Sequence, residues 1–122
     1  MGRRTFETIG KPLKGRRLIV LGEVAPGLNL GAAGEVEFVS TSVQDLVSRL
    51  EKEGVTQLVV GGGASVYSQF LQAGLVTDMY LTIEPILFGS GIPLAQGFDR
   101  IQMSLVDVTK LNEQSVLLHY RI

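Results

Sequence analysis

The chain of 122 residues contains no cysteine and a single histidine, His119. Without cysteine there is no disulfide framework, no catalytic thiolate and no cysteine metal site, and one histidine cannot form a histidine metal cluster. The lack of cysteine also fits a cytoplasmic protein better than a secreted one. We therefore expect an intracellular protein without a metal centre.

Long apolar runs are missing as well. No stretch approaches the ~20 apolar residues that cross a bilayer, and the basic start is not followed by the apolar core of a signal peptide. Hydrophobic residues make up 45% of the chain and charged residues only 19%, which argues against disorder. These features predict one soluble domain over residues 1–122, with no membrane partner.

Basic charge is concentrated at the start of the chain. Of the eleven Lys and Arg residues, six lie in the first seventeen positions, against one acid there: Arg3, Arg4, Lys11, Lys14, Arg16 and Arg17. Nucleic-acid binders spread basic charge along a face and add stacking aromatics, whereas this segment offers only Phe6. The basic segment therefore favours a small phosphorylated or carboxylated ligand over nucleic acid. The competing interpretation is a basic surface that is only exposed to solvent.

The stretch from Gln57 to Phe70 combines an apolar run, three glycines and a helical pattern. Leu58 to Val60 is typical of a strand buried on both faces, and a helix is predicted over Ala64–Gln72. Glycines let a ligand approach backbone N–H groups, and a helix N-terminus attracts anions such as phosphate. Close packing of helix on strand explains the glycines equally well, since neither the dinucleotide fingerprint nor the P-loop is complete.

The remaining patterns alternate between strands and helices. We predict a short helix capped by Thr5, a loop over Glu23–Gly34, a helix that begins at Ser42 and ends at Gly54, and strands at Arg17–Leu21, Val36–Val39, Thr77–Glu84, Met103–Lys110 and Ser115–Ile122. The last two strands form a hairpin. This order predicts an α/β fold whose sheet is mostly parallel with an antiparallel C-terminal edge.

Three segments resemble the dihydrofolate reductase superfamily. Residues 1–21, MGRRTFETIGKPLKGRRLIVL, are similar to the dihydrofolate reductase segment that runs from strand through helix to the next strand, and residues 59–70 resemble its Gly-Gly loop with the following tyrosine. Residues 73–94 look more like the related riboflavin-pathway pyrimidine reductase domain, and the Gly-Asp-Thr-x-Phe-Pro usual in dihydrofolate reductases is absent. The resemblance implies a three-layer fold and NADPH as cofactor.

The resemblance also assigns site residues. It implies that Arg3, Arg4 and Thr5 contact the phosphates of the cofactor and that Leu21 borders its adenine side. It also implies contacts from the glycine pair Gly62 and Gly63 and from the backbone of Ala64, Ser65 and Val66. Tyr67 is expected near the nicotinamide. The family often has a cis peptide within the glycine pair. On the substrate side it implies a pocket lined by Ile9 and Leu13, a carboxylate contact from Arg16 and orientation of the heterocycle by Thr82.

Some family parts have no counterpart in this sequence. These are the first strand, the mobile active-site loop and the helix with the acid that serves the proton path. The resemblance therefore implies an N-terminally incomplete domain with an unknown catalytic residue and an uncovered edge that invites homodimerisation. The leading interpretation is an NADPH-dependent reductase of dihydrofolate, active in folate and one-carbon metabolism. The alternatives are a riboflavin-biosynthesis 5-amino-6-(5-phosphoribosylamino)uracil reductase and a non-catalytic NADPH-binding module or fragment.

Overall fold

The computed structural model describes residues 1–24, 27 and 35–122. Over these ranges the chain forms a mixed α/β fold with the elements α1 (Arg3–Ile9), β1 (Leu18–Leu21), β2 (Val36–Val39), α2 (Val43–Lys52), α3 (Ala64–Gln72), β3 (Asp78–Ile83), β4 (Ser104–Lys110) and β5 (Val116–Arg121). Most of the predicted loop over Glu23–Gly34 lies outside the described residues. Within the described part, no helix is long and apolar enough to span a bilayer.

Helix α2 follows the predicted local signals. The Ser42 hydroxyl oxygen accepts a hydrogen bond from the Asp45 N–H at 3.1 Å, and the buried residues are Val43, Leu46 and Leu50. The predicted cap of α1 is wrong, because that helix begins at Arg3 and Thr5 lies inside it. The Gly2 carbonyl already accepts from the Phe6 N–H at 3.0 Å, so the first turn closes before Thr5 could cap it.

The strands form two small sheets. Strands β1 and β2 pair in parallel, whereas β3, β5 and β4 form an antiparallel sheet in that order. The hairpin predicted at the end of the chain is present as β4 and β5. A mostly parallel central sheet is not formed among the described residues, because the two sheets are not joined by a strand between them.

The predicted strand at Leu58–Val60 is also wrong. These residues form no strand, and Leu58 and Val59 are 40% and 79% exposed instead of buried. The physical reason is pairing: within the described part of the chain, residues 56–61 make no backbone hydrogen bond. A strand is defined by its ladder, and here the apolar run has no neighbour with which to build one.

The buried core lies in the first part of the chain. Its clusters centre on Phe6 with Val20, on Leu46 with Leu50, and on Val66 with Phe70. The rings of Phe6 and Phe38 meet edge to face at 5.7 Å. Arginines and glutamates tie β2, α2 and the start of β1 together on the surface, through the pairs Arg17–Glu37, Arg17–Glu53 and Arg49–Glu37. This core fixes α1 and α3 beside β1.

Candidate functional site

The starts of α1 and α3 meet at the turn Gly61–Gly63, which we call the glycine turn. The Gly2 N–H donates to the Gly62 carbonyl at 2.8 Å, and a Cβ on Gly2 would lie 3.1 Å from a Val66 methyl carbon. The end of β1 joins them, since the Leu21 N–H donates to the Met1 carbonyl at 2.8 Å. Three backbone segments that are distant in sequence therefore converge here.

Neighbouring side chains leave little room for a Cβ at two of the three residues of the glycine turn, Gly62 and Gly63. The Gly62–Gly63 peptide bond is cis, and Gly62 has φ of +86°, in the region that favours glycine. A Cβ on Gly62 would lie 3.3 Å from the Tyr67 ring, and one on Gly63 would lie 3.1 Å from the Thr5 hydroxyl oxygen. Gly62 thus requires glycine for its conformation and for the space beside Tyr67, and Gly63 requires it for the space beside Thr5.

The N-terminus of α3 is uncapped by any side chain. The first hydrogen bond of the helix runs from the Tyr67 N–H to the Gly63 carbonyl at 3.0 Å, which leaves the N–H groups of Ala64, Ser65 and Val66 without a backbone acceptor among the described residues. Unpaired donors and the helix dipole favour an anion at such an end. The Val66 side chain itself is buried in the core, so only its backbone is available.

The arginines of the basic segment differ in their contacts. Arg3 pairs with Glu7 at 3.6 Å within α1, and its Cβ would lie 3.2 Å from a Cβ added at Gly22. The guanidinium groups of Arg4 and Arg16 are exposed and make no hydrogen bond or ion pair with a described residue. Both are therefore free to meet an anionic ligand, and Arg4 lies in the first turn of α1 beside the glycine turn.

The predicted substrate residues are spread more widely. Ile9 lies exposed at the end of α1, and Leu13 packs against the cluster around Phe6. Thr82 belongs to β3 in the other sheet, where it pairs with Leu117. Within the described ranges, no hydrogen bond or ion pair joins Thr82 to the other predicted substrate residues. The structure thus brings the predicted cofactor residues to the glycine turn, whereas Thr82 lies in the antiparallel sheet and Ile9 lies in helix α1.

A cleft of about 710 Å³, which we call the strand cleft, separates residues 56–60 from β3. Tyr67 reaches it from the glycine turn, and its far wall includes Asp78, Tyr80 and His119. The His119 Nε2 lies 2.8 Å from an Asp78 carboxylate oxygen, and the His119 ring stacks on the Tyr80 ring with centroids 4.2 Å apart. Sequence reasoning missed this group, because only the register of β3 on β5 brings Asp78 and Tyr80 to His119.

Asp78 is ionised more readily than an ordinary aspartate. The hydrogen bond with His119, followed by one from Thr77, lowers the pKa of Asp78 below 3.8. Arg121 adds a weaker attraction across 4.0 Å. At neutral pH Asp78 is therefore ionised, so this wall of the strand cleft carries a carboxylate that accepts hydrogen bonds and has no proton to donate.

Comparison with known proteins identifies the family. The model of the RibD C-terminal domain matches residues 14–117. The chain is 28% identical over 85 residues to the uncharacterised Bacillus subtilis protein YwjB, and 29% identical over 84 residues to YyaP of the same organism. The matches cover 70% and 68% of this chain, but only 49% and 45% of those proteins. The chain thus spans about half the length of these curated relatives.

Solved structures share the fold. A putative riboflavin biosynthesis protein from Shewanella sp. PV-4 superposes with a TM-score of 0.85 at 21% identity, covering 99% of this chain and 71% of that one. The Thermotoga maritima diaminohydroxyphosphoribosylaminopyrimidine deaminase/5-amino-6-(5-phosphoribosylamino)uracil reductase gives 0.64 at 19% identity, covering 88% of this chain and 31% of that one. These neighbours show the fold, and the family match supports the riboflavin-pathway interpretation better than the dihydrofolate interpretation.

Proposed function

Because the chain belongs to the family of RibD C-terminal domains, we propose that it is an NADPH-dependent reductase domain acting on a phosphoribosylaminopyrimidine. The Thermotoga maritima neighbour is a reductase of 5-amino-6-(5-phosphoribosylamino)uracil, and we take the same substrate as the leading candidate. The activity of the longer relatives is part of this proposal, since the chain spans about half of them.

One observation carries the proposal: the uncapped N-terminus of α3 follows a glycine turn in which Gly62 and Gly63 have little room for side chains. The free N–H groups of Ala64, Ser65 and Val66 suit a phosphate of a dinucleotide. Arg4, which has no partner among the described residues, and Arg3, whose only partner there is Glu7, would neutralise further phosphate charge. These residues fit the phosphates of NADPH.

The remaining predicted residues extend the cofactor site in two directions. Leu21, at the end of β1, would border the adenine side, and Thr5 would flank the bound phosphates beside Gly63. Tyr67 extends from Gly62 to the strand cleft, so its ring would separate the phosphate region from the nicotinamide region. When bound, NADPH supplies the hydride that reduces the substrate. Asp78 is a poor proton donor for this reduction at neutral pH, because its pKa is lowered by His119.

The cofactor assignment is tested by binding. NADPH should raise the thermal midpoint of the chain more than NADH does, because a ligand bound only by the folded state stabilises it. We assign Arg4 to the 2′-phosphate, the group that NADH lacks. Arg4→Gln should therefore weaken NADPH binding by about tenfold or more, the effect of one lost charge-assisted hydrogen bond of about 1.5–3 kcal/mol, and should leave NADH binding nearly unchanged. Arg100→Gln is the matched control, since Arg100 is exposed and far along the chain from the glycine turn. Equal loss for both cofactors would contradict the role of Arg4.

The substrate assignment needs a turnover assay. NADPH oxidation should depend on 5-amino-6-(5-phosphoribosylamino)uracil and not on dihydrofolate. If dihydrofolate is the better substrate and Arg16→Leu weakens its binding far more than that of NADPH, the dihydrofolate interpretation is correct. NADPH binding without turnover of either compound would identify a non-catalytic binding module.

A further inference from the structure

The end of β1 presents a carboxylate beside a fixed backbone. The Leu21 N–H donates to the Met1 carbonyl at 2.8 Å, and the Gly22 N–H donates to the Val39 carbonyl at 2.9 Å. Glu23 follows directly, is exposed and makes no hydrogen bond or ion pair with a described residue. The strand end therefore carries a negative charge that is not engaged elsewhere in the described part of the chain.

Arg3 brings a positive charge to the same strand end. A Cβ on Gly22 would lie 3.2 Å from the Arg3 Cβ and 4.0 Å from its Cδ, so the stem of this arginine runs along Gly22. The Arg3 guanidinium pairs with Glu7 at 3.6 Å and forms no ion pair with Glu23. Two opposite charges, held separately, thus border Leu21, the residue that we expect on the adenine side of the cofactor.

The adenosine ribose of a dinucleotide distinguishes these two charges. In other dinucleotide sites an acid near a strand end accepts a hydrogen bond from the ribose 2′-hydroxyl of NADH, whereas an arginine binds the 2′-phosphate of NADPH. An ionised carboxylate only accepts hydrogen bonds and repels a phosphate, whereas a guanidinium only donates them and attracts it. A strand end with both groups therefore makes opposing contributions to the choice of cofactor.

Resting on the proposed function, we propose that Glu23 is a specificity-determining residue of the cofactor site. Its carboxylate accepts a hydrogen bond from the ribose hydroxyls of NADH and repels the 2′-phosphate of NADPH, which Arg3 and Arg4 attract. Glu7 does not take this role, because its carboxylate is already paired with Arg3. The arginines keep NADPH as the preferred cofactor, and Glu23 makes that preference smaller than the arginines alone would give.

Paired affinities for the two cofactors test this role. The dissociation constants of NADPH and NADH are measured from nicotinamide fluorescence for the unmodified chain and for Glu23→Gln, which keeps the size of the side chain and removes its charge. The variant should bind NADPH about threefold more tightly and NADH about threefold more weakly, as expected for exposed charge interactions. The ratio of the two dissociation constants should therefore change by about tenfold.

Two controls locate the effect. Glu113→Gln removes the same charge from the exposed turn between β4 and β5 and should leave both dissociation constants unchanged. Adenosine 2′,5′-bisphosphate and AMP differ only in the 2′-phosphate and lack the nicotinamide, so calorimetric titrations with this pair should show the same change of ratio in Glu23→Gln. Thermal melts without ligand establish that both variants are folded.

The outcomes separate this inference from the proposed function. A change in the same direction for both cofactors, or an equal change in Glu113→Gln, would overturn the role of Glu23, because net charge alone would explain it. A change that is absent from the adenosine pair would overturn it as well, since the effect would not arise at the ribose. Binding of both cofactors with an unchanged ratio in Glu23→Gln would overturn this role and leave the cofactor site intact. Failure of the unmodified chain to bind either cofactor would overturn the proposed function together with this inference.

Discussion

The three glycines of the glycine turn should respond differently to alanine although they are adjacent. At Gly62, alanine must adopt a φ of +86° and place its Cβ 3.3 Å from the Tyr67 ring. The left-handed conformation costs about 1–2 kcal/mol, and the close contact raises the expected loss to about 2–3 kcal/mol. At Gly63 the conformation is open to any residue, so the cost comes from the 3.1 Å approach to the Thr5 hydroxyl oxygen, which we expect to be about 1 kcal/mol.

Gly61 provides the matched control. Its Cβ would meet only the flexible end of Met1 at 3.6 Å, an ordinary contact, so Gly61→Ala should change stability by less than about 0.5 kcal/mol. Thermal unfolding measures all three variants, with about 4 °C of midpoint expected per kcal/mol in a chain of this size. Combining Gly63→Ala with Thr5→Ala should recover part of the loss, since the second change removes the contacted oxygen. Equal losses at Gly61 and Gly63, or no recovery with Thr5→Ala, would refute the steric reasoning.

Three further predictions concern the scaffold. Phe6→Ala should lower the free energy of unfolding by about 3–5 kcal/mol in a denaturant titration, because the side chain is fully buried, whereas a loss below about 1 kcal/mol would contradict its place in the core. Ser42→Ala should cost about 1 kcal/mol by removing the cap of α2, and no loss of helix stability would disprove that role. The hydrogen bond from Arg17, followed by one from Arg49, lowers the pKa of Glu37 from its ordinary value, so the stabilisation is present at pH values above that ordinary pKa and is lost as pH falls through the lowered one. Glu37→Gln should flatten that acid loss of stability in pH-dependent melts, and parallel curves would contradict it.

Local patterns in the sequence predicted the helices and most strands well. The cap and apolar face of α2 and the extent of α3 depend on residues within one or two turns, so they can be read without knowing the rest of the fold. The failure at Leu58–Val60 has the opposite origin. An apolar run becomes a strand only when a neighbour accepts and donates hydrogen bonds, and the sequence of the run does not state whether that neighbour is present.

The candidate site likewise has one part that the sequence predicts and another part that it does not. The glycine turn could be located from its resemblance to one family, and the structure brings Gly2, Thr5 and Tyr67 to that turn. The contact between Asp78 and His119 was not predictable, because it joins residues 41 positions apart through the register of β3 on β5. Side-chain alternation gives the face of a strand, but not which residue of another strand lies opposite.

The uneven distribution of the core has a consequence for how the molecule opens. Among the described residues, every buried apolar side chain lies between Phe6 and Leu71, and the sheet of β3, β5 and β4 has none. The loop between β3 and β4 is hydrogen-bonded to α3, through Gln96 to Ser68 and Gln72. Regions with few buried contacts open at lower free energy than the core. We therefore expect the antiparallel sheet to open at lower free energy than the core around Phe6 and Val20. A ligand bound in the strand cleft contacts β3 and would therefore stabilise the antiparallel sheet against this local opening.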